Sequence, residues 1–525
     1  MKSSVNNTAK HLGIAFLLCG LLVVLLRPTL HPQYLGVYFL LGVTLLAYAA
    51  TRAVGNEDYL IVVPRFAQVI GGIGLGILLV AVLFAFVSSL MVDGRSQVSG
   101  LAAAQTTEKL PGLDVGQVPL VSKGVAHRAM SRRLGEDLGL GSQFEVGSPV
   151  KQLYQGRLTW VAPLEPRSTF KAWFGDVSPA FMTVDASDAS QVQFVRKNVR
   201  LSDRELFGLS TRLWFHNPAY NAYGWFFEVD EDGNPFWVAP LTQKRAGAMG
   251  LDVKEVAVLN AVTGGITVYD TNSVPNWVDN VYPATLVEAQ IDVTGELVNG
   301  WFNPTDDGKF ELTSTPDQVL LDGQVWHLGT LSSISRAESV TEGVLVNSRT
   351  KEIRRFALQG VTEIVASAAM EAQNPEKNLL ASNPAVYLVD GLPAYVSALS
   401  SGDDVIRGYG VVAVQDAQLV AVADTLDVAL KQFAAKRIRA SASLGLAVKE
   451  TVIEETVRVI RQDVASGQYF LLLQPSGKLV IGAPHLSDEL HVTEAGDKVR
   501  LKIRQTEGAA SPAVEFKNLS KFSAQ

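Results

Sequence analysis

The residues with the chemistry to bind or catalyse are few and scattered. Of seven histidines only His485 and His491 stand close together. A metal pair there would need a loop that turns both imidazoles onto one ion, and plain surface histidines explain them with less. Asp230, Asp232 and Asn234 mimic the opening of a calcium loop. Pro235 stands where the sharp-turn Gly belongs and Leu241 where the bidentate Glu belongs, so a hairpin turn is predicted instead. Asp306-Asp307-Gly308 reads the same way, and Asp403-Asp404 follows Ser400-Ser401-Gly402, the composition of a solvated loop. Nucleophile elbows of the GxSxG kind, GxxxxGK[ST] phosphate loops and HExxH zinc motifs are absent. The sequence therefore assigns no catalytic, cofactor-binding or metal-ligating residue.

Aromatic side chains are the remaining candidates. Trp160, Trp237, Trp326 and Tyr395 occupy equivalent places in a motif that returns four times, which argues for a core role in each copy. Trp173, Trp214, Trp277 and Trp301 lie outside that place and are the candidate partner contacts. The copies are LYQGRLTWVAPLEP from Leu153, FEVDEDGNPFWVAPL from Phe227, VLLDGQVWHLGTL from Val319 and YLVDGLPAYVSAL from Tyr387. Each runs apolar strand, Gly-containing turn, then a strand with an aromatic near its start and a Leu at its end. Two further β-like runs follow in each, so each copy predicts a four-stranded meander.

Helical segments come between the copies. Ser202 and Glu205 form a capping box, Pro283 takes a first-turn position, Val361 to Ala372 is a third segment, and Thr425 caps Leu426 to Lys436, whose Leu426, Leu430 and Phe433 recur at helical spacing. A helix over one face of each small sheet buries what the meander leaves open, and it argues against a closed propeller. From about Leu444 five short strands with Gly turns predict a small barrel of OB or SH3 type. Lys498, Arg500, Lys502 and Arg504 alternate on one of those strands, as a solvated exterior would.

Three uncharged apolar runs open the chain: residues 12–26, 34–50 and 69–92. A helix crosses the hydrocarbon core with about 20 apolar residues; the third run clears that, and the first two are short but flanked by Lys10, His11 and Arg27. Within the third, GGIGLG (Gly71 to Gly76) resembles a phosphate loop but has no soluble strand before it. Helix packing through Gly72 and Gly76 in GxxxG spacing is the better reading. Lys2, Lys10, Arg52 and Arg65 against Arg27 and Arg95 place the N-terminus inside and everything after Asp93 outside a bacterial cytoplasmic membrane. The only cysteine, Cys19, lies in an apolar run, so the outer region has no disulfide and no thiol.

The predicted architecture is a membrane-anchored α+β chain with three N-terminal transmembrane helices, four β-meander-plus-helix repeats and a C-terminal small β-barrel. Its parts are 1–93 (anchor), 94–150 (linker and helical segment), 151–219, 220–315, 316–380 and 381–443 (repeats), and 444–525 (barrel). LTWVAPLEP at Leu158, PNWVDNVYP at Pro275 and GLPAYVSAL at Gly391, in that order, resemble a family of bacterial membrane-anchored proteins with tandem β-rich modules. The strand–Thr-Gly–strand unit VAVLNAVTGGITVYD is similar to half of a PepSY module. The resemblance implies an architecture and supplies no catalytic residue or ligand.

Charge is balanced, with 45 Lys and Arg against 52 Asp and Glu and a net charge of −7, and no basic run points to nucleic acid. The expected function is that of an extracytoplasmic structural or interaction protein, a scaffold or self-assembling envelope component. Its expected partners are membrane lipid and either further copies or other envelope proteins. The alternatives are a ligand-binding sensory module, which would need a polar-lined pocket between repeats, and an envelope enzyme, which would need carboxylates from different repeats in one cleft.

Overall fold

The fold is that of a computed structural model. It describes residues 27–54, 65–91 and 114–521, except 175–176, 203–207, 247–248, 299–304, 335–338, 444–449, 463–467, 483–485 and 505–509, together with scattered positions before 27 and between 105 and 112. The first helices whose spans lie among the described residues are α1 (Leu35–Val54) and α2 (Arg65–Met91). A two-residue strand β1 (Gln105–Thr106) and the helices α3 (Lys123–Gly135) and α4 (Leu138–Gly141) lead into the first sheet. Ser122 starts α3 by accepting the Val125 amide at 3.4 Å.

Four sheets share one antiparallel path. In the first, β3 (Val150–Tyr154), β4 (Arg157–Pro166), β5 (Phe181–Asp185) and β6 (Val192–Val195) pair in sequence. A short strand β2 (Phe144–Val146) joins the far end of β4, where Phe144 faces Pro166. Helices α5 (Thr169–Phe174) and α6 (Leu209–His216) follow in the chain, and Leu213 of α6 packs with Ala239, Leu241 and Ala257 of the second sheet. The second sheet repeats the path with β7 (Asn221–Ala222), β8 (Phe226–Val229), β9 (Pro235–Ala246), β10 (Met249–Asn260) and β11 (Ile266–Asp270), then α7 (Ala284–Glu296). The third has β12 (Phe310–Leu312), β13 (Asp317–Leu321), β14 (Gln324–Ser333), β15 (Ser339–Asn347) and β16 (Ile353–Val361), then α8 (Glu363–Glu371). The fourth runs β17 (Leu380–Val389), β18 (Leu392–Ser400), β19 (Ile406–Ala413) and β20 (Asp416–Ala423), then α9 (Leu426–Ser443).

Turn chemistry sets this path. The first hairpin of the first, third and fourth sheets closes through Gln155-Gly156, Asp322-Gly323 and Asp390-Gly391, and both residues of each pair have positive φ. That is the backbone of a type I′ turn, whose twist matches the strands it joins, and Gly at the second place adopts it without strain. The strand after the turn is central, and β4, β14 and β18 are buried on both faces. This is why these strands read as near-continuous apolar runs rather than alternating ones. Between the second and third sheets, Leu286, Val287 and Ile291 of α7 pack with Val238, Val256 and Val258 on one side and Val344 and Val346 on the other.

The last five strands are β21 (Glu450–Gln462), β22 (Tyr469–Gln474), β23 (Leu479–Gly482), β24 (Lys498–Arg504) and β25 (Ala510–Asn518). They close in the order β21-β22-β23-β25-β24, with β23 and β25 parallel. Val457, Leu471, Leu473, Val480, Val499, Leu501 and Ile503 fill the interior. The chain divides into two compact units, Met1–Ala385 with Ser397–Arg407, and Val386–Val396 with Gly408–Gln525.

The fold class expected from the sequence is corrected in two respects. The three membrane-spanning helices are not shown: among the described residues one stretch, Gln68–Ser88 in α2, is long and apolar enough to cross a membrane. The apolar part of α1 is shorter, Leu35–Ala49, below the roughly 20 residues a bilayer needs, and most of residues 12–26 lie outside the described residues. The four-stranded meander expected of each repeat is present in each sheet, but three of the sheets carry more than those four strands. The sheets hold five, five, six and four strands, because β2, β7 and β12 each add to the far end of a central strand and β1 pairs with β16 in parallel.

Candidate functional site

The hairpin strands of the first three sheets bring polar side chains to one buried junction. Lys151 and Gln152 come from β3, Glu228 from β8, Asp279 and Asn280 from the connection before α7, and Asp317 and Gln318 from β13. Gln152 is fully buried and joins two sheets as a backbone would, accepting the Val229 amide at 2.8 Å and donating to the Val229 carbonyl at 3.0 Å. Glu228 is also fully buried. Its carboxylate accepts the amides of Asp279 at 2.9 Å and Asn280 at 3.1 Å, and the Asn280 side-chain amide at 2.9 Å. Asp279 accepts the Leu153 amide at 2.5 Å. Lys151 donates to Asp317 at 2.6 Å and lies 5.0 Å from the Trp160 ring centroid. Arg349 threads four carbonyls, those of Val274, Pro275, Asn276 and Val278, which holds the approach to Asp279 in place.

Removing these acids from water sets their protonation. Burial pushes the Glu228 carboxyl up to about 6, against the pull of its three N–H donors. Asp279 is pushed up to about 8, first by burial and then by the nearby charge of Glu228. His327, fully buried on β14, donates from Nε2 to the Tyr282 carbonyl at 2.7 Å, and burial drives its pKa down to about 4. It is therefore neutral, with Nδ1 inside the protein and without a hydrogen bond. The chemistry available is proton storage and the satisfaction of backbone groups. Each carboxylate is already occupied by N–H donors, and substrate would have to displace them.

The sequence-nominated residues lie elsewhere. Trp173 is 51% exposed on α5, where Phe170 and Phe174, each 69% exposed, stand with ring centroids 4.7 Å apart. Trp214 donates its indole N–H to the Pro28 carbonyl at 2.9 Å. Trp277 lies 4.7 Å from Phe236, against the core between the second and third sheets. Trp301 lies outside the described residues, as do most of the Ser202–Glu205 capping box and His485. Gly72 and Gly76 have open space where a Cβ would stand. Close approach of α1 and α2 instead uses Gly42 and Gly74, each with the other's carbonyl oxygen near 3 Å from where its Cβ would be. Trp160, Trp237, Trp326 and Tyr395 are all buried, and the first two donate to the carbonyls of Val121 and Leu201.

The calcium-like segment is a turn closed on itself, with Asp230 accepting the backbone and side-chain amides of Asn234 at 2.7 and 2.8 Å. His491 bonds the Tyr469 hydroxyl at 2.6 Å, and among the described residues no cluster of His, Cys, Asp and Glu could hold a metal. Sequence reading passed over Glu228, Phe170 and Phe174. A carboxylate inside the apolar run WFFEV was a signal for the first, and aromatics four apart on one short helix for the others.

No family model matches the chain, and no curated protein matches it. Solved structures similar to it include cobalt-substituted Synechocystis ACO, at 7% identity and a TM-score of 0.16, over 74% of this chain and 64% of that one. An ACO/RPE65 chimera follows at 7% and 0.15, over the same shares. The chain spans less than two thirds of those proteins, and at such TM-scores the likeness settles neither fold nor function.

Proposed function

We propose that the protein is a membrane-anchored scaffold, with its bulk outside the cytoplasm, that binds further copies of itself or other envelope proteins. The carrying observation is the α5 ridge. Phe170, Trp173 and Phe174 are half or more exposed on one six-residue helix, an apolar cluster of the kind that marks an interaction surface. The reading is supported by how the polar groups of the junction are used: their bonds join sheet to sheet. The anchor is supported by the Gln68–Ser88 stretch. Arg52 and Arg65 flank the connection from α1 to α2, and positive charge favours the cytoplasmic side. The opposite end of the hairpin, where Leu30 and Tyr34 bond Pro218 and Thr242, then faces outward with the sheets.

The test is crosslinking in native membranes followed by size-exclusion in mild detergent. Wild type is expected as an oligomer or complex, and the Phe170→Ser, Phe174→Ser double variant is expected to lose it while keeping its folded yield. A wild-type chain that runs only as a monomer, with no crosslinked companion, overturns the reading.

A further inference from the structure

We infer that the face of the second sheet formed by α6, the Pro218–Tyr220 segment and the outer end of β9 lies in the lipid headgroup layer. The inference rests on the anchoring proposed above and identifies lipid as the partner of one particular surface. The contacts of Gly42 with Leu78 and of Gly71 with Ala49 make α1 and α2 antiparallel. This register sets Leu35, the start of α1, roughly level with Ala85. At 1.5 Å per residue that is about 5 Å from Ser88, where the apolar stretch ends.

The turn before α1 sits at that level and is fastened to the face in question. Arg27 donates to the Thr211 hydroxyl at 2.8 Å, the Leu30 amide to the Pro218 carbonyl at 2.7 Å, and the Tyr34 hydroxyl to the Thr242 carbonyl at 2.5 Å. Trp214 bonds Pro28 from the other direction, and His31 stacks on Tyr220 with centroids 6.0 Å apart. The face therefore meets the boundary between hydrocarbon and water.

Its composition fits that boundary. Trp214, Tyr220 and Tyr34 carry an apolar body with a polar tip, and Lys244 lies 5.7 Å from the Tyr34 ring. Phe215, edge-on to Trp214, is 67% exposed. Aromatics with a cation are what a headgroup layer with anionic lipid favours.

The test uses the full chain with Cys19→Ser, in nanodiscs of phosphatidylethanolamine and phosphatidylglycerol. Nitroxide labels go on Phe215→Cys, on Leu79→Cys in α2 and on Leu138→Cys, which is highly exposed on α4. Collision with oxygen and with a water-soluble nickel chelate is read by power saturation. The oxygen-to-nickel ratio at 215 is expected several-fold above that at 138 and below that at 79. A ratio at 215 equal to that at 138, or a label shielded from both agents, overturns the inference while a lipid-like value at 79 leaves the anchor standing. An aqueous value at 79 overturns the anchor itself. Should Phe215→Cys fail to fold, a label at Lys244→Cys carries the test with the same outcomes.

Discussion

Two β regions of this chain solve burial in opposite ways. The C-terminal barrel closes around Val457, Leu471, Leu473, Val480, Val499, Leu501 and Ile503 and keeps its charges outside, where Arg500 pairs with Glu454 and Lys502 with Glu515. The junction of the first three sheets buries Lys151, Gln152, Glu228, Asp279 and Asn280 and satisfies them with one another and with backbone amides. A closed barrel pairs every strand edge with its own neighbours, so aliphatic packing suffices. Where three open sheets meet, strand ends and loops arrive with unpaired N–H groups, and each must find an acceptor. The carboxylates supply acceptors, and the cost is that an acid is held where water cannot reach it.

The comparison is broken most strongly by deleting one member of each set. Glu228→Ala removes the acceptor of three donors and is expected to cost about 3–5 kcal/mol, since buried donors left unmet lose their full hydrogen bonds to a charged group. Hydrogen exchange read on the peptide holding Asp279 and Asn280 should lose protection while the barrel keeps its own. Leu471→Ala in the barrel leaves a cavity costing about 2–5 kcal/mol and should do the reverse. Equal loss in both regions for either variant would show that they do not hold themselves separately.

A smaller effect sharpens the contrast. Glu228 and Asp279 hold their protons more tightly in the folded chain than in the unfolded one, where carboxyls titrate near 4. The folded junction is thus favoured at low pH and loses stability as pH rises through about 6 and about 8. His327 acts oppositely, because it is neutral in the fold and the junction weakens as pH falls from about 6.5 toward 4. Asp279→Asn keeps an acceptor for Leu153 and removes the upper titration. Exchange rates at the junction should rise between pH 6 and 8 in wild type and stay flat in the variant once corrected for intrinsic exchange; parallel slopes would refute the assignment. The smallest effect belongs to the barrel exterior. Glu454→Gln breaks a solvated pair with Arg500 and should change stability by less than about 1 kcal/mol, measured as the denaturant midpoint of the barrel transition.

Local features were legible before any coordinates. The turns at Gly156, Gly323 and Gly391 were readable as Gly-containing turns between apolar strands, and the structure gives each Gly a positive φ; that the strands after them are covered on both faces was not readable. The calcium-like Asp230 segment was separable from a true ion loop by two wrong residues. Legibility ended at the membrane and at the junction. Counting apolar residues overstated the spans, because the apolar part of α1, Leu35–Ala49, falls short of the roughly 20 residues a bilayer needs. No spacing rule links Gln152 to Val229 or Lys151 to Asp317, which are 77 and 166 residues apart.

The sequence by itself determined which segments turn, which run apolar and which stretch is long enough to cross a bilayer, because those properties follow from neighbours within a few residues. Only the tertiary structure decided that Glu228 and Asp279 share one dry junction, that Phe170 and Phe174 stay uncovered, and that the Arg27–Tyr34 turn fastens to α6 and β9. Burial and desolvation depend on what distant parts of the chain bring to the same place. No local pattern of residues carries that information.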